Sequence, residues 1–342
     1  MATITNNADF LFLYDATQCN PNGDPDQENK PRMDYDTDTN LVTDTRLKRY
    51  IRDYLKMTGT EIFVDMEDGR KVNPEQKLEA VIKRALANDE TIGELFVENA
   101  SMGDALAKII ETEKTPEKVF KKLQAKENRS LSVYLLAQMV KQKFVDIRLF
   151  GSAFAVEGFT RAYTGPVQIN WGYSLHKVQL MESNSIVTTM NDDSSTFGKD
   201  YRVHYSLLAF NGTINKFAAQ STGLTDADIS TFRDAMWQSV PAMPTRSKLN
   251  QYPKLYVEIT YNDGFFNGNF GDLRNYVKAV PGRLNKETQL VDKIEEKQIR
   301  RFEDLQLDLS ALQKLLTENT GAGKAIRSAY IKSATGIELS AN

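Results

Sequence analysis

The chain of 342 residues is 41% hydrophobic and 26% charged, a composition typical of a globular protein that buries a sizeable core in one or two domains. No apolar run approaches the roughly 18 residues that cross a bilayer, and the one cysteine, Cys19, excludes an internal disulfide framework and a multi-cysteine zinc site. The formal net charge of -3 is unlike that of a free-standing nucleic-acid binder, so any such role depends on local basic patches.

The first predicted elements are a strand and a long polar loop. Residues 10–14 are continuously apolar, which predicts a short strand covered on both faces. Residues 18–40 follow, and within them residues 20–26 read NPNGDPD, a run of turn dipeptides. We therefore expect an ordered surface loop, where functional residues are often carried.

The next predicted element is a basic amphipathic helix over residues 41–56. Its apolar side chains recur at the spacing of one buried helical stripe, and they are Leu47, Tyr50, Ile51, Tyr54 and Leu55. Its polar side chains include possible donors to phosphate oxygens, namely Thr43, Thr45, Arg46, Lys48, Arg49 and Arg52. The alternative interpretation is an ordinary solvated cationic helix face beside a structured turn.

Residues 73–144 are rich in Lys, Glu, Ala, Leu and Gln, which predicts several short helices inserted between elements of the main core. Strand character returns at residues 146–151 and again at residues 165–171. Residues 174–200 resemble an extended hairpin with a polar tip at residues 191–195. Apolar side chains near this tip would be exposed unless nucleobases or a neighbouring protein copy cover them; otherwise the hairpin folds against its own domain.

The remaining predicted elements complete the main core. A strand is expected at residues 201–210, a helix after the capping sequence at residues 225–228, and a strand with two distinct faces at residues 255–261. Beyond residue 265 we expect a loop and helices around residues 294–316. Without the insertions, the order is strand, helix, strands, helix, strand, which predicts an α+β fold with the ferredoxin-like arrangement of RNA-recognition domains.

Catalytic and metal-binding patterns are weak. Residues 34–38 open like a calcium loop, but its sixth and twelfth positions are Thr39 and Thr45, which lack the required Gly and Glu. A two-metal nuclease with Asp24, Asp26 and Asp36 is conceivable. The segment GAGK at residues 321–324 lacks the first Gly and the hydroxyl of a phosphate loop. We therefore predict no catalytic residue, no metal and no cofactor.

These motifs together resemble a known family. They are NPNGDPD at residues 20–26, PR at 31–32, LVTD at 41–44, LKR at 47–49, IR at 51–52, DIRLFG at 146–151 and GPVQ at 165–168. In this order they are similar to the crRNA-binding backbone subunit of type I CRISPR Cascade complexes in the RAMP superfamily, closest to the I-B and I-C branches. The motifs span about the first half of the chain.

The resemblance implies a hand-shaped, RRM-like protein. The palm would comprise residues 1–59, 146–175 and 201–264, with helical fingers at 60–145 and a β-hairpin thumb at 176–200. Residues 265–342 would form a C-terminal extension packed on the palm. Each thumb would reach over the guide beneath a neighbouring copy and flip out a nucleotide at regular intervals.

The resemblance also implies site residues. Contacts to the guide backbone would fall on Asn20, Asn22, Gly23, Arg32, Thr43, Arg46, Lys48, Arg49, Arg52, Arg148, Gln168 and His176. The wedges of the thumb would be Ile186, Met190 and Phe197.

The implied function is antiviral defence: several copies assemble head to tail along one crRNA and present it to a target DNA strand. Further implied partners are the other Cascade subunits, namely the large subunit, the small subunits, the 5′-handle-binding subunit and the crRNA-processing endonuclease. We expect a cytoplasmic protein with no membrane partner, since no signal peptide is evident at the N-terminus. Two alternatives are a metal-dependent ribonuclease on the same palm and an RNA-free self-assembling structural protein.

Overall fold

The computed structural model describes residues 2–67, 70–71, 74–86, 89–182, 185–188, 196–285 and 287–340. The chain divides into two units. The helical unit comprises Met1–Thr5, Leu55–Val167 and Lys216–Thr231, and the sheet unit comprises Asn6–Tyr54, Gln168–Asn215 and Phe232–Asn342. No helix in the described part of the chain is long and apolar enough to cross a membrane.

The strands are, in chain order, β1 (Ala8–Thr17), β2 (Gly23–Asp24), β3 (Lys30–Pro31), β4 (Met33–Asp34), β5 (Thr39–Val42), β6 (Met66–Glu67), β7 (Arg70–Lys71), β8 (Gly151–Phe154), β9 (Arg161–Thr164), β10 (Val167–Ile169), β11 (Gly172–Ser174), β12 (Ser185–Thr188), β13 (Thr196–Lys199), β14 (Tyr205–Ile214), β15 (Gln251–Tyr261), β16 (Lys278–Pro281), β17 (Arg283–Leu284), β18 (Val291–Asp292), β19 (Leu305–Asp308) and β20 (Ile326–Ser333).

The helices are α1 (Asp44–Met57), α2 (Pro74–Leu86), α3 (Asp89–Phe96), α4 (Ala100–Glu113), α5 (Pro116–Gln124), α6 (Arg129–Gln142), α7 (Val145–Phe150), α8 (Lys216–Thr222), α9 (Asp226–Ala242) and α10 (Ser310–Asn319). Short 3-10 turns lie at Pro25–Gln27, Lys126–Asn128, Leu273–Tyr276, Glu296–Gln298 and Phe302–Asp304.

One antiparallel sheet organises the sheet unit. Its strand order is β20-β15-β1-β14-β11-β5-β4, and β10 also pairs with β14. The central strand β1 is antiparallel to both neighbours, so that Phe12 lies opposite Phe210 on β14 and Tyr256 on β15. Because β1 has a paired strand on each side, its central residues are hydrogen-bonded within the sheet, while at its ends the Ala8 carbonyl accepts the Asn267 side chain and the Thr17 N–H donates to the Asn250 carbonyl.

Burial of β1 confirms the predicted strand. Phe10 and Tyr14 are fully buried, as are the three apolar residues between them. Their rings pack against aromatic side chains of the neighbouring strands, such as Tyr14 against Phe210 at 5.8 Å between centroids. The strand extends three residues further than predicted at its C-terminal end, through Asp15 and Thr17.

The prediction of a strand with two distinct faces at residues 255–261 is wrong in one respect. Tyr256 and Glu258 lie on the face expected to be polar, yet both are buried. Arg233 pairs with Glu258 at 2.6 Å, and the Tyr256 hydroxyl donates to the same carboxylate at 2.7 Å. A buried carboxylate is tolerated there because a cation and a hydroxyl satisfy it.

Helix α9 follows its predicted pattern. Thr225 and Asp228 form reciprocal capping bonds, in which the Asp228 carboxylate accepts the Thr225 N–H at 3.0 Å and the Asp228 N–H donates to the Thr225 hydroxyl at 3.3 Å. The predicted apolar stripe is buried: Ile229, Phe232, Ala235 and Met236.

The last third of the chain is only partly as predicted. Helix α10 lies in the expected region and buries Leu312, Leu315 and Leu316. The segment before it holds short 3-10 turns and strand β19 rather than a longer helix. Strand β20, which the sequence did not indicate, pairs with β15 and forms one edge of the main sheet.

The helical unit confirms the predicted helical insertion. Helices α2 to α6 fill the expected range, and their apolar faces join one buried cluster that includes Leu78, Leu106, Leu123, Leu136 and Phe144. Most of this cluster comes from helices that are close in sequence, which is why the local composition was sufficient to predict them.

The strand predicted at residues 146–151 is wrong, because the segment forms helix α7 and only then strand β8. The carboxylate of Asp146 accepts the N–H groups of Phe63 and Val64 at 2.8 and 3.0 Å. Gly151 has a φ of +71° and lies against Gly165 so closely that a Cβ would overlap backbone atoms. These distant contacts override the strand propensity of a short apolar run.

The predicted hairpin is present in part. Strands β12 and β13 pair antiparallel, with Ile186 opposite Gly198 and Val187 opposite Phe197. Residues 178–180 form no strand beyond a bridge between Leu180 and Val203. Residues 189–195, which include Met190 and the expected tip, lie outside the described residues. The strands predicted at 165–171 and 201–210 are observed as the shorter β10 and as the shifted β14.

Candidate nucleic-acid interface

The loop that follows β1 is held by its own hydrogen bonds. The Asn20 side chain donates to the Asn29 carbonyl at 2.8 Å, and the Asn29 N–H donates to the Asp24 carbonyl at 2.8 Å. Gly23 lies so close to the Asn29 side chain that a Cβ would overlap it. The loop is therefore ordered, as predicted, and the absence of a side chain at Gly23 leaves room for the Asn29 side chain.

A second set of bonds joins this loop to the N-terminus of α1. The Asn22 side-chain oxygen accepts the Thr43 N–H at 2.9 Å and the Thr43 hydroxyl at 3.0 Å. The Thr43 hydroxyl in turn accepts the Arg46 N–H at 3.1 Å, as an N-capping residue does. The loop thus lies beside the positive end of the helix dipole, where anions are favoured.

Two arginines of this region retain hydrogen-bonding capacity. Arg32, whose side chain is 22% exposed, pairs with Asp24 at 3.3 Å and lies 5.8 Å from the centre of the Trp171 ring. Arg46 stacks over Tyr50 at 4.0 Å. Within the described residues, Nε of each arginine is buried and has no hydrogen-bond partner. Each guanidinium is therefore positioned by an aromatic ring while part of its donor set stays unused.

The outer face of α1 carries cations in helical ion pairs. Lys48 pairs with Asp44 at 2.9 Å, and Arg49 pairs with Asp53. Pairs of this kind contribute only about 0.3–0.5 kcal/mol, so a phosphate can replace the carboxylate at little cost. Arg52 lies half-buried on the same helix.

Sequence analysis missed Lys248, which is central to this region. Its ammonium donates to the Asn20 carbonyl, and its backbone carbonyl accepts the Gln251 side chain at 2.7 Å. Burial, together with the nearby Arg46 charge, lowers the pKa of Lys248 to about 8. The signal that could have found it is the basic run Arg246-Ser247-Lys248, which follows α9.

The loop also contacts the segment that follows the hairpin. Glu28 accepts the Tyr201 hydroxyl at 2.8 Å and pairs with Lys199 at 3.1 Å, while Lys30 lies 5.1 Å from the Tyr201 ring centre. The Arg202 guanidinium donates to the Gln18 carbonyl at 2.8 Å. The loop at residues 18–40, the N-terminus of α1 and residues 199–202 at the root of the hairpin therefore form one polar surface of the sheet unit. We call it the loop–helix surface.

Comparison with known proteins shows the family of the chain. Residues 6–310 match the family "CRISPR-associated protein Cas7". The chain belongs to that family. It is 29% identical over 299 residues to the CRISPR-associated protein Cas7 of Haloferax volcanii, a match that covers 81% of this chain and 76% of that protein. The family predicted from the sequence motifs is thereby confirmed.

Solved structures are more distantly similar. A chain of a CRISPR RNA-guided surveillance complex, pre-nicking, has a TM-score of 0.47 at 14% identity, covering 76% of this chain and 80% of that chain. A chain of a second CRISPR RNA-guided surveillance complex has a TM-score of 0.39 at 16% identity, covering 77% of this chain and 78% of that chain.

Three of the predicted contact residues of this Cas7-family chain lie apart in sequence from the loop and α1. Arg148 belongs to the helical unit, where its guanidinium pairs with Asp228 at 2.6 Å; the two side chains are 12% and 9% exposed. Its remaining donors reach carbonyl oxygens of α6. These contacts give Arg148 a structural role in the helical unit. Gln168 is exposed on β10.

His176 is buried in the sheet unit. Its Nε2 accepts the Leu207 N–H at 3.1 Å, and its Nδ1 lies 2.8 Å from the Lys177 carbonyl, which the protonated nitrogen satisfies. Burial lowers the pKa of His176 to about 4. Both ring nitrogens are therefore used in the neutral form, and this geometry gives His176 a structural role.

The acidic residues of the loop are engaged in turns. Asp24 accepts the Asp26 N–H at 3.2 Å and pairs with Arg32, and Asp34 accepts the Asp36 N–H at 3.1 Å. In the described part of the chain, no group of three or more His, Cys, Asp or Glu side chains is arranged to hold a metal ion.

Proposed function

We propose that this Cas7-family chain is the backbone subunit of a type I CRISPR Cascade complex, in which several copies assemble head to tail along one crRNA. The observation that carries this proposal is the loop–helix surface, where Asn22 joins the loop to the N-terminus of α1 and cations surround it. In each copy, this surface grips the ribose-phosphate backbone. Sequence is then read by pairing between guide and target DNA, so the protein needs no base-specific contacts.

The chemistry of the surface suits a phosphate backbone. The α1 N-terminus and the loop supply N–H donors, while Arg32 and Arg46 supply guanidinium donors that are already positioned by rings. Such contacts fix a strand without reading its sequence. They also account for a nucleic-acid binder with a net charge of -3, because each copy needs only a few phosphate contacts.

The sheet supports the proposed palm. Strands β15, β1, β14 and β11 are adjacent and antiparallel, α1 follows β1, and α9 connects β14 to β15. This is the order of the split βαβ arrangement used by RNA-recognition domains. We assign the palm to residues 1–59, 146–175 and 201–264, the fingers to 60–145, the thumb to 176–200 and the C-terminal extension to 265–342.

The remaining parts of the proposal follow from the family. The hairpin side chains Ile186, Met190 and Phe197 separate nucleotides of the guide beneath a neighbouring copy. The protein acts as a scaffold in the cytoplasm, together with the large, small, 5′-handle-binding and crRNA-processing subunits. Its role needs no catalytic residue, and the engagement of Asp24 by Arg32 and a loop N–H favours a structural role for that carboxylate.

The test is a triple charge reversal on α1, K48E/R49E/R52E, in chain co-produced with a guide RNA. We expect assembly on the guide to be lost and the circular dichroism spectrum to be retained. Removing three phosphate contacts should reduce the slope of log affinity against log salt by about 2, since each contact to a single strand contributes about 0.7.

The matched control is K108E/K118E/K121E, three exposed lysines of the helical unit, which should bind guide RNA as the wild type does. Unchanged guide affinity of the α1 variant at physiological salt would contradict the assignment of the loop–helix surface. Purified oligomers without nucleic acid would instead favour an RNA-free structural protein. Guide cleavage in the presence of Mg²⁺ that is lost in D24A/D26A would favour the ribonuclease alternative.

A further inference from the structure

A second cationic surface lies in the sheet unit. It is a cavity of about 570 Å³, which we call the cationic groove, and its lining residues are Gln179, Arg283, Ile294, Lys297, Gln298 and Arg300. Three of these side chains are cations, two are amides, and no carboxylate is among the described lining residues. The volume falls in the range of ligand sites.

Arg300 carries the charge of this groove in a fixed position. Its Nη1 donates to the carbonyl oxygens of Lys297 at 2.7 Å and Ile299 at 2.8 Å. Carbonyl oxygens hold a guanidinium in place but do not neutralise it, so Arg300 keeps a full positive charge for an anion.

The other two cations of the groove, Arg283 and Lys297, differ in whether a phosphate can replace their carboxylate partner. Arg283 is exposed but donates to the buried carboxylate of Asp304 at 2.8 Å, so its charge is already engaged by the protein. Lys297 pairs with Glu295 at 2.7 Å, and both side chains are about two-thirds exposed, at 65% and 67%. An exposed pair of this kind is weak, so a phosphate can take the place of Glu295.

The groove adjoins the root of the hairpin. The Gln179 carbonyl accepts the His204 N–H at 2.9 Å, and the next residue, Leu180, bridges to Val203. Gln298 is held at the other side because its Oε1 accepts the Glu295 N–H at 3.0 Å, which leaves the side-chain NH₂ as its donor. Amide donors beside arginine and lysine are a common set for phosphate and sugar oxygens.

We propose that the cationic groove binds the phosphodiester backbone of a nucleic-acid strand, as a second contact besides the loop–helix surface. This inference rests on the proposed function, in which a guide RNA and a target DNA strand both pass the protein. Either strand carries the same phosphate chemistry. The groove is open and mostly polar, which suits an extended backbone better than an enclosed small molecule.

The test is the double variant K297E/R300E, with Arg283 left intact because its loss would leave Asp304 buried without that partner. One arm measures guide RNA affinity. The other arm measures the affinity of guide-loaded complexes for a complementary DNA strand. We expect a loss of about tenfold or more at physiological salt in one arm, with a salt slope lower by about 1.4 for two contacts.

Two further variants make the result interpretable. K108E/K118E carries the same charge change on exposed residues of the helical unit and should match the wild type in both arms. K297Q/R300Q removes the charges without adding carboxylates and should show a smaller loss in the same arm as the reversal.

The outcomes separate this inference from the proposed function. If wild-type protein binds guide RNA and target, and both groove variants stay within twofold of it with unchanged salt slopes, the groove inference is wrong and the proposed function stands. If the wild type binds no guide RNA, the proposed function is wrong, and the groove inference is overturned with it.

Discussion

The helical unit and the sheet unit bury polar groups in different ways. In the described part of the helical unit, the buried side-chain atoms without a hydrogen-bond partner are two phenol oxygens and one hydroxyl. In the sheet unit they include side-chain oxygens of two asparagines and one glutamine, and Nε of two arginines. Strong donors and acceptors are normally satisfied when buried. Of the nine such atoms in the described part of the sheet unit, four belong to the loop and to α1, namely Oδ1 of Asn20 and Asn40 and Nε of Arg32 and Arg46.

The charged groups of the two units also differ in their partners. Arg148 and Asp146 of the helical unit each have partners within that unit, an aspartate for one and two backbone N–H groups for the other. In the sheet unit, Arg32 pairs with Asp24 at 3.3 Å and lies beside the Trp171 ring, and Arg46 stacks over Tyr50. Among the described residues, these two charged groups of the helical unit thus have ionic or backbone partners, whereas Arg32 and Arg46 of the loop–helix surface each keep an Nε without a hydrogen-bond partner. We infer that the polar groups of the helical unit serve stability and that those of the loop–helix surface serve binding.

The largest effect is expected for Arg148→Ala in the helical unit. Loss of the guanidinium leaves Asp228 nearly buried without its partner, which costs roughly 3–5 kcal/mol in the free energy of unfolding. Guide affinity per folded molecule should not change. Denaturant unfolding and guide binding by fluorescence anisotropy check both parts. Lys83→Ala, which removes partly exposed ion pairs with Glu79 and Glu117, is the control and should change stability by less than about 1 kcal/mol. If Arg148→Ala is as stable as the wild type but binds guide RNA weakly, Arg148 serves binding and not stability, contrary to this prediction.

A second effect should follow pH through His176. The folded-state pKa is about 4, below the ordinary value near 6.5, so the unfolded chain takes up a proton that the folded chain does not. The contribution of His176 to stability is complete above about pH 6.5 and is lost as the pH falls from 6.5 through 4. Between pH 7.5 and pH 5 the wild type should lose about 2 kcal/mol more than His176→Gln does.

The control for this prediction is His204→Gln. His204 is half-buried, and burial followed by the Arg300 charge lowers its pKa. Replacing His204 should change the pH dependence of the free energy of unfolding less than replacing His176 does. Identical pH profiles for the wild type and His176→Gln, measured by urea unfolding, would show that the buried imidazole does not control this loss. His176 would then return as a candidate contact residue.

The smallest effect on stability, with a clear effect on binding, is expected for Asn22→Ala. The change removes the acceptor for the Thr43 N–H and hydroxyl, and should cost about 1–2 kcal/mol. It should also weaken guide binding, because the loop is no longer tied to α1. Asn22→Asp keeps the acceptor and should restore stability, while its negative charge weakens guide binding most at low salt. Wild-type guide affinity in both variants would remove Asn22 from the interface.

Local sequence patterns were sufficient wherever neighbouring residues determine the structure. Strand β1 follows from a continuous apolar run, the buried stripe of α1 from periodicity and the cap of α9 from capping residues, and the helices α2 to α6 follow from local composition. The turn chemistry of residues 20–26 likewise indicated an ordered loop. The family was recognisable from these same motifs.

Tertiary contacts, and not local sequence, determined which partner each charged side chain has. Arg148 looked like a phosphate contact, but its partner Asp228 lies 80 residues away in the chain. Lys248 went unnoticed because it reaches Asn20 across 228 residues. Strand β20 could not be found either, since its partner β15 is separated from it by a long segment that includes β16 to β19 and α10. The sequence by itself determined elements, loop and family, because those depend on neighbouring residues. Only the folded chain decided which partner each cation has, because pairing depends on distances in space.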